Sequence, residues 1–279
     1  MKAEDFEFLA GLLKRESGLA LNTSKIALVK SRLKPLAARY GFASMAALVQ
    51  ELRAGNEPLA RAVTEAMTIR DTSFFRDGAA FDALRDRVLP SLLRARLPRR
   101  HLRIWCAAAA TGQEPYSLAM ILHSLPQFAG WDIEILASDS SAEAIARARE
   151  GLYTPAEVQR GLPVGLLAQY FREESGAWRI ADFLRKRVQF RVFNLLDRFA
   201  GLGSFDLILC RNVLIYFDPP TKVEILARLS DSLEADGYLV LGAAETVLGS
   251  SSSFAPMESA RGIKVKTGPA YTSRAIAGA

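Results

Sequence analysis

The chain has 279 residues and a formal net charge of +6; 50% of its residues are hydrophobic and 24% are charged. This is the composition of a globular protein with one large or two modest domains, and it excludes collagen-like, disulfide-scaffold and wholly disordered classes. No run of eighteen apolar residues occurs, so we expect no membrane span. The N-terminus mixes acidic and apolar residues at helical spacing, which predicts an amphipathic helix rather than a signal peptide.

The charge is unevenly distributed along the sequence. The first hundred residues carry a net charge of +7 and the remainder a net charge of −1. This bias predicts an acidic partner for the N-terminal part, which leaves nucleic acid, an acidic protein surface and anionic lipid open. Cys106 and Cys210 lie in apolar runs and are expected to be buried free thiols of a cytoplasmic protein. Because the sequence contains two histidines, we expect no metal site built from His and Cys.

The first part of the chain is predicted to be helical. Apolar spacing and capping residues predict four helices within residues 1–70: 3–17, one from Asn22 or Thr23 to about Tyr40, 45–53 after Ser44, and 58–67 with Pro58 in its first turn.

The second of these helices has a basic face. Lys25, Arg32 and Arg39 recur every seven residues and therefore lie on one side of the helix. Such a run of charge is as often a merely solvated face as a binding surface. The basic bias of this part of the chain favours binding.

The remainder of the chain is predicted to be an α/β domain with a connecting segment before it. We predict a linker and a connecting helix (about 79–96) for residues 71–98. Within residues 99–270, the apolar runs LRIWCAAA, DIEILASD, FDLILC and GYLVLGAA alternate with helical segments, which predicts a parallel sheet with helices on both faces. Residues 152–190 interrupt this rhythm with Gly, Pro and short β-like pieces such as AWRI and RVQF, which predicts an insertion. Residues 271–279 are predicted to be a flexible tail.

The polar linker carries two adjacent aromatic residues, Phe74 and Phe75, in the segment TIRDTSFFRDG. We expect this pair to dock on the larger domain. Arg76 in the same segment could reach an anionic substrate or a cofactor carboxylate. Alternatively it pairs with Asp71 or Asp77 at the surface.

Ligands of open α/β sheets bind at the carboxyl ends of the strands. After the first strand comes a run of small residues (AAAATG), followed by Glu114 at the start of a helix; after the second comes Asp139. The small residues permit close approach of a ligand or close strand–helix packing. Asp139 is placed to accept both hydroxyls of a ribose, or to cap the helix that starts near Ser141. Together they suggest an adenosine ligand, and the absence of a G-x-G-x-x-G pattern argues against a dinucleotide.

Arg211, Asn212 and Tyr216 follow the buried FDLILC strand. Arg and Asn directly after a buried strand rarely serve a core, so these residues are candidates for the mouth of the site. The sequence Asp218-Pro219-Pro220 invites comparison with the DPPY loop of amino-methylating enzymes. Thr221 lacks the aromatic ring that this loop needs.

These segments together resemble the CheR family of chemotaxis-receptor glutamate O-methyltransferases. The pieces TIRDTSFFRD, RIWCAAAATGQEPYSLAM, ILASDSSAEAIARAREGLY, FDLILCRNVLIYFDPPT and GYLVLGAAET occur in the family's order and spacing, over about residues 5–267. The resemblance implies a Rossmann-like S-adenosylmethionine-dependent methyltransferase domain with an inserted small β-subdomain, preceded by an all-α N-terminal domain. It also implies methylation of glutamate carboxylates in chemotaxis-type signalling, with S-adenosylhomocysteine as the other product.

The resemblance assigns roles by position in the motifs. It places Thr72 and Arg76 near the methionine part of the cofactor, Ala108 and Glu114 near its amino group, Asp139 at the ribose, Asn194 and Leu195 at the adenine, and Arg211, Asn212 and Tyr216 at the methyl-transfer site.

The implied partners are the cytoplasmic signalling domains of chemoreceptors. Their methylation regions are acidic helices, which the face of Lys25, Arg32 and Arg39 would attract. The resemblance leads us to expect Arg76 and Tyr216 to position the reactants. We expect a monomer that neither binds nucleic acid nor inserts into a membrane.

The sequence departs from the family pattern at three places. Arg70 stands where the family usually has Asn, Gln113 replaces a commonly acidic residue, and the loop REESGA of the insertion is short, which puts tethering to a receptor tail in doubt. Two other functions stay open: a non-catalytic module that senses S-adenosylmethionine or docks on receptors, and a nucleic-acid methyltransferase. The second is less favoured because the basic part lacks interleaved aromatic residues for base stacking.

Overall fold

The computed structural model describes residues 1–247, 253–258, 260 and 262–267; the predicted tail at 271–279 lies outside them. The chain forms two compact units. The first comprises Met1–Ile69 and Tyr216–Thr221, and the second comprises Arg70–Ile215 and Lys222–Ala279. In the part of the chain that the structure describes, no helix combines the length and apolar character needed to cross a bilayer.

The first unit is helical, as the sequence predicts. A short 3-10 turn, Thr23–Lys25, precedes the second of its four helices: α1 (Ala3–Ser17), α2 (Ile26–Arg39), α3 (Met45–Arg53) and α4 (Glu57–Met67). Ser44 caps α3, because its Oγ accepts a hydrogen bond from the N–H of Ala47 at 3.1 Å. The core is a cluster of fully buried side chains contributed by all four helices, among them Leu9, Leu33, Leu48 and Val63.

The second unit is built on a seven-stranded sheet. Its strands are β1 (His101–Ala107), β2 (Asp132–Asp139), β6 (Val188–Val192), β7 (Phe205–Cys210), β8 (Leu233–Leu241), β9 (Phe254–Pro256) and β10 (Ile263–Lys266). The order is β6-β2-β1-β7-β8-β10-β9. The first five of these strands run parallel, whereas β10 is antiparallel to β8 and β9 is antiparallel to β10. The parallel arrangement predicted for the four apolar runs is therefore confirmed.

Helices connect these strands: α5 (Gly78–Ala83), α6 (Leu89–Arg96), α7 (Gln113–Ser124), α8 (Ala142–Glu150) and α12 (Pro219–Asp231). The predicted continuous helix over 79–96 is wrong in one respect, because a π-helical turn, Leu84–Val88, separates α5 from α6. Pro90 follows this turn directly. It has no N–H to donate and its ring would meet the carbonyl four residues earlier, so the wider turn relieves the mismatch.

A small antiparallel sheet lies between α8 and β6. It contains β3 (Leu152–Tyr153), β4 (Phe171–Glu174) and β5 (Ala177–Ile180) in the order β3-β5-β4, with short helices α9 (Pro155–Gln159), α10 (Val164–Tyr170) and α11 (Asp182–Arg185) around it. The short REESGA loop is a two-residue hairpin, in which Ser175 and Gly176 both have positive φ.

One strand predicted for the insertion belongs to the large sheet. The piece RVQF within residues 152–190 contributes to β6, which pairs in parallel with β2 from Ile135↔Val188 to Asp139↔Val192. Since β6 is at the edge of the sheet, only alternate positions along it need to be apolar, and its exposed residues resemble a loop in the sequence.

Asp206, near the amino end of β7, anchors several segments. Its carboxylate is 1% exposed and accepts hydrogen bonds from the guanidinium groups of Arg96 and Arg99 and, at 2.8 Å, from the backbone N–H of Arg103. Arg96 also pairs with Asp236 in β8. The cluster therefore links α6, β1, β7 and β8 at the amino ends of the strands.

We predict that Asp206→Asn lowers the free energy of unfolding by about 3 kcal/mol, because it takes one of two counter-charges from the buried guanidinium of Arg96 and places an amide NH₂ group among N–H donors. The corresponding fall in Tm is about 6–12 °C for a domain of this size. Urea and thermal unfolding measure both quantities. The exposed Asp231→Asn is the matched control and is expected to change stability by less than about 0.5 kcal/mol. An equal effect of the two substitutions would contradict the role given to Asp206.

Candidate active site

The polar residues predicted for the mouth of the sheet lie where parallel strands end. Ala108 follows β1, Asn194 follows β6 and Arg211 follows β7, whereas Asp139 is the last residue of β2. The carboxyl ends of these four strands form one edge of the sheet. The structure thus brings four of the segments named from the sequence to the same edge.

The loop after β1 has an unusual backbone. Ala108 and Ala110 have φ values of 61° and 47°, and Gly112 has a φ of 95°. Left-handed backbone is uncommon outside glycine, and such strained residues cluster at functional sites. The loop is held against the end of β2, because the N–H of Ala109 donates to the carbonyl of Ser138 at 2.8 Å. The small residues therefore serve a sharply turned loop that exposes little side chain.

Asp139 is buried and organises two neighbouring loops. One carboxylate oxygen accepts the N–H of Ala110 at 2.9 Å and the other accepts the N–H of Ser141 at 2.9 Å. Its backbone carbonyl accepts the N–H of Phe193 at 2.9 Å. The alternative role of capping α8 belongs to Ser141, whose Oγ accepts from Ala144 at 2.9 Å.

Asn194 and Leu195 come directly after Phe193, so the hydrogen bond from Phe193 to Asp139 brings them to the end of β2. The side-chain oxygen of Asn194 accepts the N–H of Leu196 at 3.0 Å, which tightens the turn. Leu195 is buried. A polar amide and an apolar side chain thus lie next to the residue that the sequence assigns to a ribose.

A buried ion pair forms the centre of the site. Nη1 of Arg211 donates to Glu114 Oε2 at 2.9 Å, and Nη2 donates to the carbonyl of Arg76 at 2.6 Å and to Asp77 Oδ2 at 2.9 Å. The Arg211 side chain is 2% exposed and its guanidinium lies 5.3 Å from the centre of the Phe81 ring. This one side chain therefore joins the end of β7, the first turn of α7 and the linker.

The environment of Glu114 has opposing effects on its ionisation. Burial raises the pKa of Glu114 above its ordinary value of 4.5, and the positive charge of Arg211 opposes this shift. The Nε of Arg211 is buried and has no hydrogen-bond partner in the described part of the protein. Buried polar groups of this kind normally find a partner, so a polar ligand fits this place.

The predicted docking of the linker aromatics is confirmed for the second unit. Phe74 is fully buried and makes edge-to-face contacts with Tyr153 and Phe171, at ring-centroid distances of 5.0 and 5.5 Å. The N–H of Phe75 donates to Ser117 Oγ in α7 at 3.0 Å. Thr72, in the same segment, is half-buried.

Two arginines of the linker contact acidic residues. Arg76 donates to the carbonyl of Asp71 at 2.6 Å and lies 3.7 Å from its carboxylate, so the pairing with Asp71 that the sequence left open is present. Arg70 contacts Glu143 in α8 at 2.9 Å. The cation that replaces the family's usual Asn thus has an acidic neighbour within the unit.

The remaining candidate residues belong to the first unit. Tyr216 is half-buried, and its carbonyl accepts the N–H of Ala20 at 2.9 Å. Lys25 and Arg39 are exposed. Arg32 donates to the carbonyls of Met67 and Thr68, at 2.9 and 3.0 Å, and so closes the end of α4. The three basic residues therefore do not form one uniform exposed face.

His101, Asp132 and Glu134 form the group of possible metal ligands found in the described part of the chain. They lie toward the amino ends of β1 and β2, away from the edge that carries Asp139. His101 contacts Asp132 at 2.8 Å, and Arg103 contacts Glu134 at 2.9 Å. These contacts account for the group, and we assign no metal to it.

Sequence reasoning missed Glu245, which follows β8 and is buried. Its carboxylate accepts the backbone N–H groups of Asn212, Val213, Leu214 and Gly242. The available signal was an acidic residue close after a buried apolar strand, which is the same signal that identified Asp139.

Comparison with known proteins agrees with this geometry. A family model described as the SAM-binding domain of CheR methyltransferase matches residues 70–263, and one described as the all-alpha domain of CheR methyltransferase matches residues 4–68. This chain belongs to the CheR methyltransferase family. It is therefore an S-adenosylmethionine-dependent methyltransferase, and the predicted fold class, a Rossmann-like domain preceded by an all-α domain, is confirmed.

Relatives in this family match over most of the chain. Chemotaxis protein methyltransferase 1 of Pseudomonas aeruginosa is 40% identical over 87% of this chain and 90% of its own length. Chemotaxis protein methyltransferase Cher2 of Pseudomonas putida is 38% identical over 88% and 91%. A chemotaxis protein methyltransferase of Vibrio parahaemolyticus is 37% identical over 90% and 92%.

Because the pKa of Glu114 is raised, we predict that the difference in unfolding free energy between the wild type and Glu114→Gln depends on pH. Below its ordinary pKa of 4.5, Glu114 is protonated in both the folded and the unfolded chain. As the pH rises above that value, the unfolded chain releases this proton before the folded protein does, so the contribution of Glu114 to stability falls. We expect the stability of the wild type relative to Glu114→Gln to decrease as the pH rises above 4.5.

Urea unfolding across this pH range measures the difference. The exposed Glu224→Gln is the control, because it replaces a surface carboxylate by the same amide. A difference for Glu114→Gln that stays constant or grows with pH would show that the pKa of Glu114 is not raised.

Proposed function

We propose that this chain transfers the methyl group of S-adenosylmethionine to glutamate side-chain carboxylates of chemoreceptors, which gives methyl esters and S-adenosylhomocysteine. The observation that carries the proposal is the assembly of Asp139, the left-handed loop after β1 and the Glu114–Arg211 pair at one edge of the sheet. The relatives of this chain are named chemotaxis protein methyltransferases, which supports receptors as the substrate class.

The residues at this edge fit S-adenosylmethionine. Asp139 would accept the ribose hydroxyls, and Asn194 with Leu195 would contact the adenine. Ala108 and Glu114 would lie at the amino group, because the left-handed loop lets the backbone approach closely and Glu114 offers acceptor oxygens. On the same proposal, Thr72 and Arg76 lie near the methionine part, with Arg211 and Asn212 beside the reacting end.

The proposed reaction needs orientation rather than proton transfer. When bound, S-adenosylmethionine supplies an activated methyl group on a sulfonium. A glutamate side chain, with an ordinary pKa of about 4.3, is already ionised near neutral pH and needs no general base. The chain's task is to align the acceptor carboxylate with the methyl group. Arg76 and Tyr216 are therefore proposed to position the reactants.

Arg211 is not available as a tight receptor for the substrate carboxylate. Its Nη1 and Nη2 groups donate to Glu114, to Asp77 and to a backbone carbonyl. This arrangement suits the reaction, because an anion and a cation become neutral in the transition state and strong binding of the free carboxylate would raise the barrier. We therefore assign Arg211 to shaping the site.

The proposed substrates are acidic methylation helices in the cytoplasmic signalling domains of receptors. Lys25 and Arg39 are exposed and would attract such helices through long-range electrostatics. Arg32 is engaged with the end of α4 and is assigned a structural role instead. On this proposal the enzyme acts as a cytoplasmic monomer and needs neither nucleic acid nor membrane insertion.

Cofactor binding is expected to depend on Asp139. We predict that Asp139→Ala weakens the binding of S-adenosylhomocysteine by about 10-fold or more, equivalent to about 1.4 kcal/mol. Isothermal titration calorimetry with S-adenosylmethionine and S-adenosylhomocysteine measures this change. The control is Asp132→Ala, because Asp132 is exposed at the other end of the same strand. The cofactor assignment would be abandoned if the wild type bound neither ligand or if both variants bound like the wild type.

The receptor proposal predicts an alkali-labile product and a charge-dependent KM. With a methyl-labelled cofactor and purified receptor signalling domains, the label should be released by mild alkali as methanol, as an ester requires. The double variant Lys25→Glu/Arg39→Glu should raise KM for the receptor roughly fivefold or more at low salt, with kcat within about twofold, because it reverses the steering charge. The effect should shrink as salt is added.

The matched control for charge is Arg61→Glu compared with the single variant Lys25→Glu, because each reverses one exposed charge of the same unit. Arg61→Glu should alter KM much less than Lys25→Glu. A label that resists alkali would refute glutamate ester formation. An equal effect of both charge changes would refute the specific role of Lys25 and Arg39 and leave the ester chemistry intact.

A further inference from the structure

Glu245 is a buried acidic residue in the loop that follows β8. We propose that Glu245 is a positioning residue for methyl transfer, whose carboxylate holds the turn after β7 in the shape that presents Asn212. This inference rests on the proposed function for its catalytic part. The carboxylate of Glu245 contacts this turn by accepting hydrogen bonds from the backbone N–H groups of the turn.

The geometry is that of a carboxylate surrounded by backbone donors. One oxygen accepts the N–H groups of Asn212 and Gly242, each at 2.7 Å, and the other accepts those of Val213 at 2.9 Å and Leu214 at 2.7 Å. A carboxylate has about four acceptor sites and carries no donor when ionised. Four converging N–H groups match that capacity, so an amide or a hydroxyl in this place would leave donors unsatisfied.

The turn itself needs such an acceptor. Asn212 has a φ of 58°, which is a left-handed conformation that non-glycine residues rarely adopt. In this conformation three successive N–H groups, those of residues 212–214, point to the same carboxylate. Without the Glu245 carboxylate, these N–H donors would be partly buried and unpaired. The left-handed backbone at Asn212 would then lose the hydrogen bonds that stabilise it.

Gly242 lies close to both the side chain of Asn212 and the carboxylate of Glu245. A Cβ added at Gly242 would lie 2.6 Å from Asn212 Nδ2 and 2.8 Å from Glu245 Oε2. The absence of a side chain at this position therefore makes room for both groups. Glu245 fixes the backbone of Asn212 while Gly242 accommodates its side chain, so the loops after β7 and β8 form one assembly.

Arg211 connects this assembly to the proposed cofactor site. It precedes the turn, and its guanidinium bonds to Glu114. Asp139, in contrast, is anchored by the loop after β1 and by Ser141. A disturbance at Glu245 should therefore move Asn212 more than it moves the residues assigned to the ribose and adenine.

The test uses the full chain with Glu245→Gln. Glutamine keeps the size of the side chain, but its single oxygen can accept at most about two of the four hydrogen bonds, and its NH₂ group faces N–H donors. We expect kcat with receptor domains to fall by on the order of 10- to 100-fold. The Kd for S-adenosylhomocysteine should stay within about threefold, and hydrogen exchange in a peptide covering residues 211–217 should become about 10-fold faster.

Two further variants separate positioning from general destabilisation. Asp206→Asn alters a buried carboxylate near the other end of β7; it should lower Tm but leave kcat unchanged at a temperature where it is folded. Gly242→Ala keeps every charge and crowds Asn212. It should reproduce the loss of kcat with retained S-adenosylhomocysteine binding, and it carries the test alone if Glu245→Gln does not fold.

The outcomes distinguish this inference from the proposed function. An active wild type with unchanged kcat in Glu245→Gln and Gly242→Ala would overturn the role of Glu245 alone. Parallel losses of kcat and of S-adenosylhomocysteine affinity would also overturn it, because the carboxylate would then support the whole site. A wild type that binds S-adenosylhomocysteine but methylates no receptor would refute the proposed function and the catalytic part of this inference, whereas the exchange data would still decide whether Glu245 holds the turn.

Discussion

The buried guanidinium of Arg211 is the interaction on which the site depends. It binds Glu114 at the start of α7, Asp77 and a carbonyl in the linker, and it extends from the end of β7. A buried ion pair of this kind is costly to break, by about 3–5 kcal/mol when one partner is removed, because the other charge is left in a poorly solvating environment. The linker, α7 and β7 are distant in sequence, and this pair fixes their relative placement within the unit.

Near that pair, two carboxylates stabilise neighbouring loops in the same way, by accepting hydrogen bonds from backbone N–H groups. Asp139 at the end of β2 accepts an N–H from the loop after β1, and Glu245 after β8 accepts three from the turn after β7. In each case an acceptor from one strand end holds the strained backbone of a neighbouring strand's loop, at Ala110 and at Asn212. Left-handed residues without glycine persist only where their surroundings hold them firmly. Hydrogen bonds within the protein therefore hold the loops at this edge of the sheet.

Much of this arrangement could be predicted from the sequence, for identifiable reasons. Continuous apolar runs indicated β1, β2, β7 and β8, since strands buried on both faces cannot alternate. Asp139 and Arg211 were identifiable because polar residues at the ends of such strands have no place in a core. The edge strand β6 was assigned to the insertion because its exposed positions dilute the apolar pattern, and the π turn before Pro90 has no periodic signal of its own.

The roles that the sequence could not reveal are those that depend on backbone donors and acceptors from elsewhere in the chain. Spacing placed Arg32 on a basic face, yet its guanidinium closes the end of α4 by binding carbonyls at Met67 and Thr68. Glu245 follows an apolar strand, as Asp139 does, but nothing in the spacing shows that distant N–H groups converge on it. Hydrogen bonds to backbone are set by tertiary structure, whereas residue patterns report burial and period.

The distribution of charge suits a reaction in which opposite charges disappear. Arg211 is neutralised by its acidic partners inside the fold, so it offers little net attraction to the bare carboxylate that, on the proposed function, gives up its charge. Lys25 and Arg39 carry positive charge at the surface of the first unit, where solvent and salt weaken its attraction for an anion. On the proposed function, attraction that acts before binding and weakens at the reacting atoms would speed the encounter without stabilising the ground state, as methyl transfer to an anion requires.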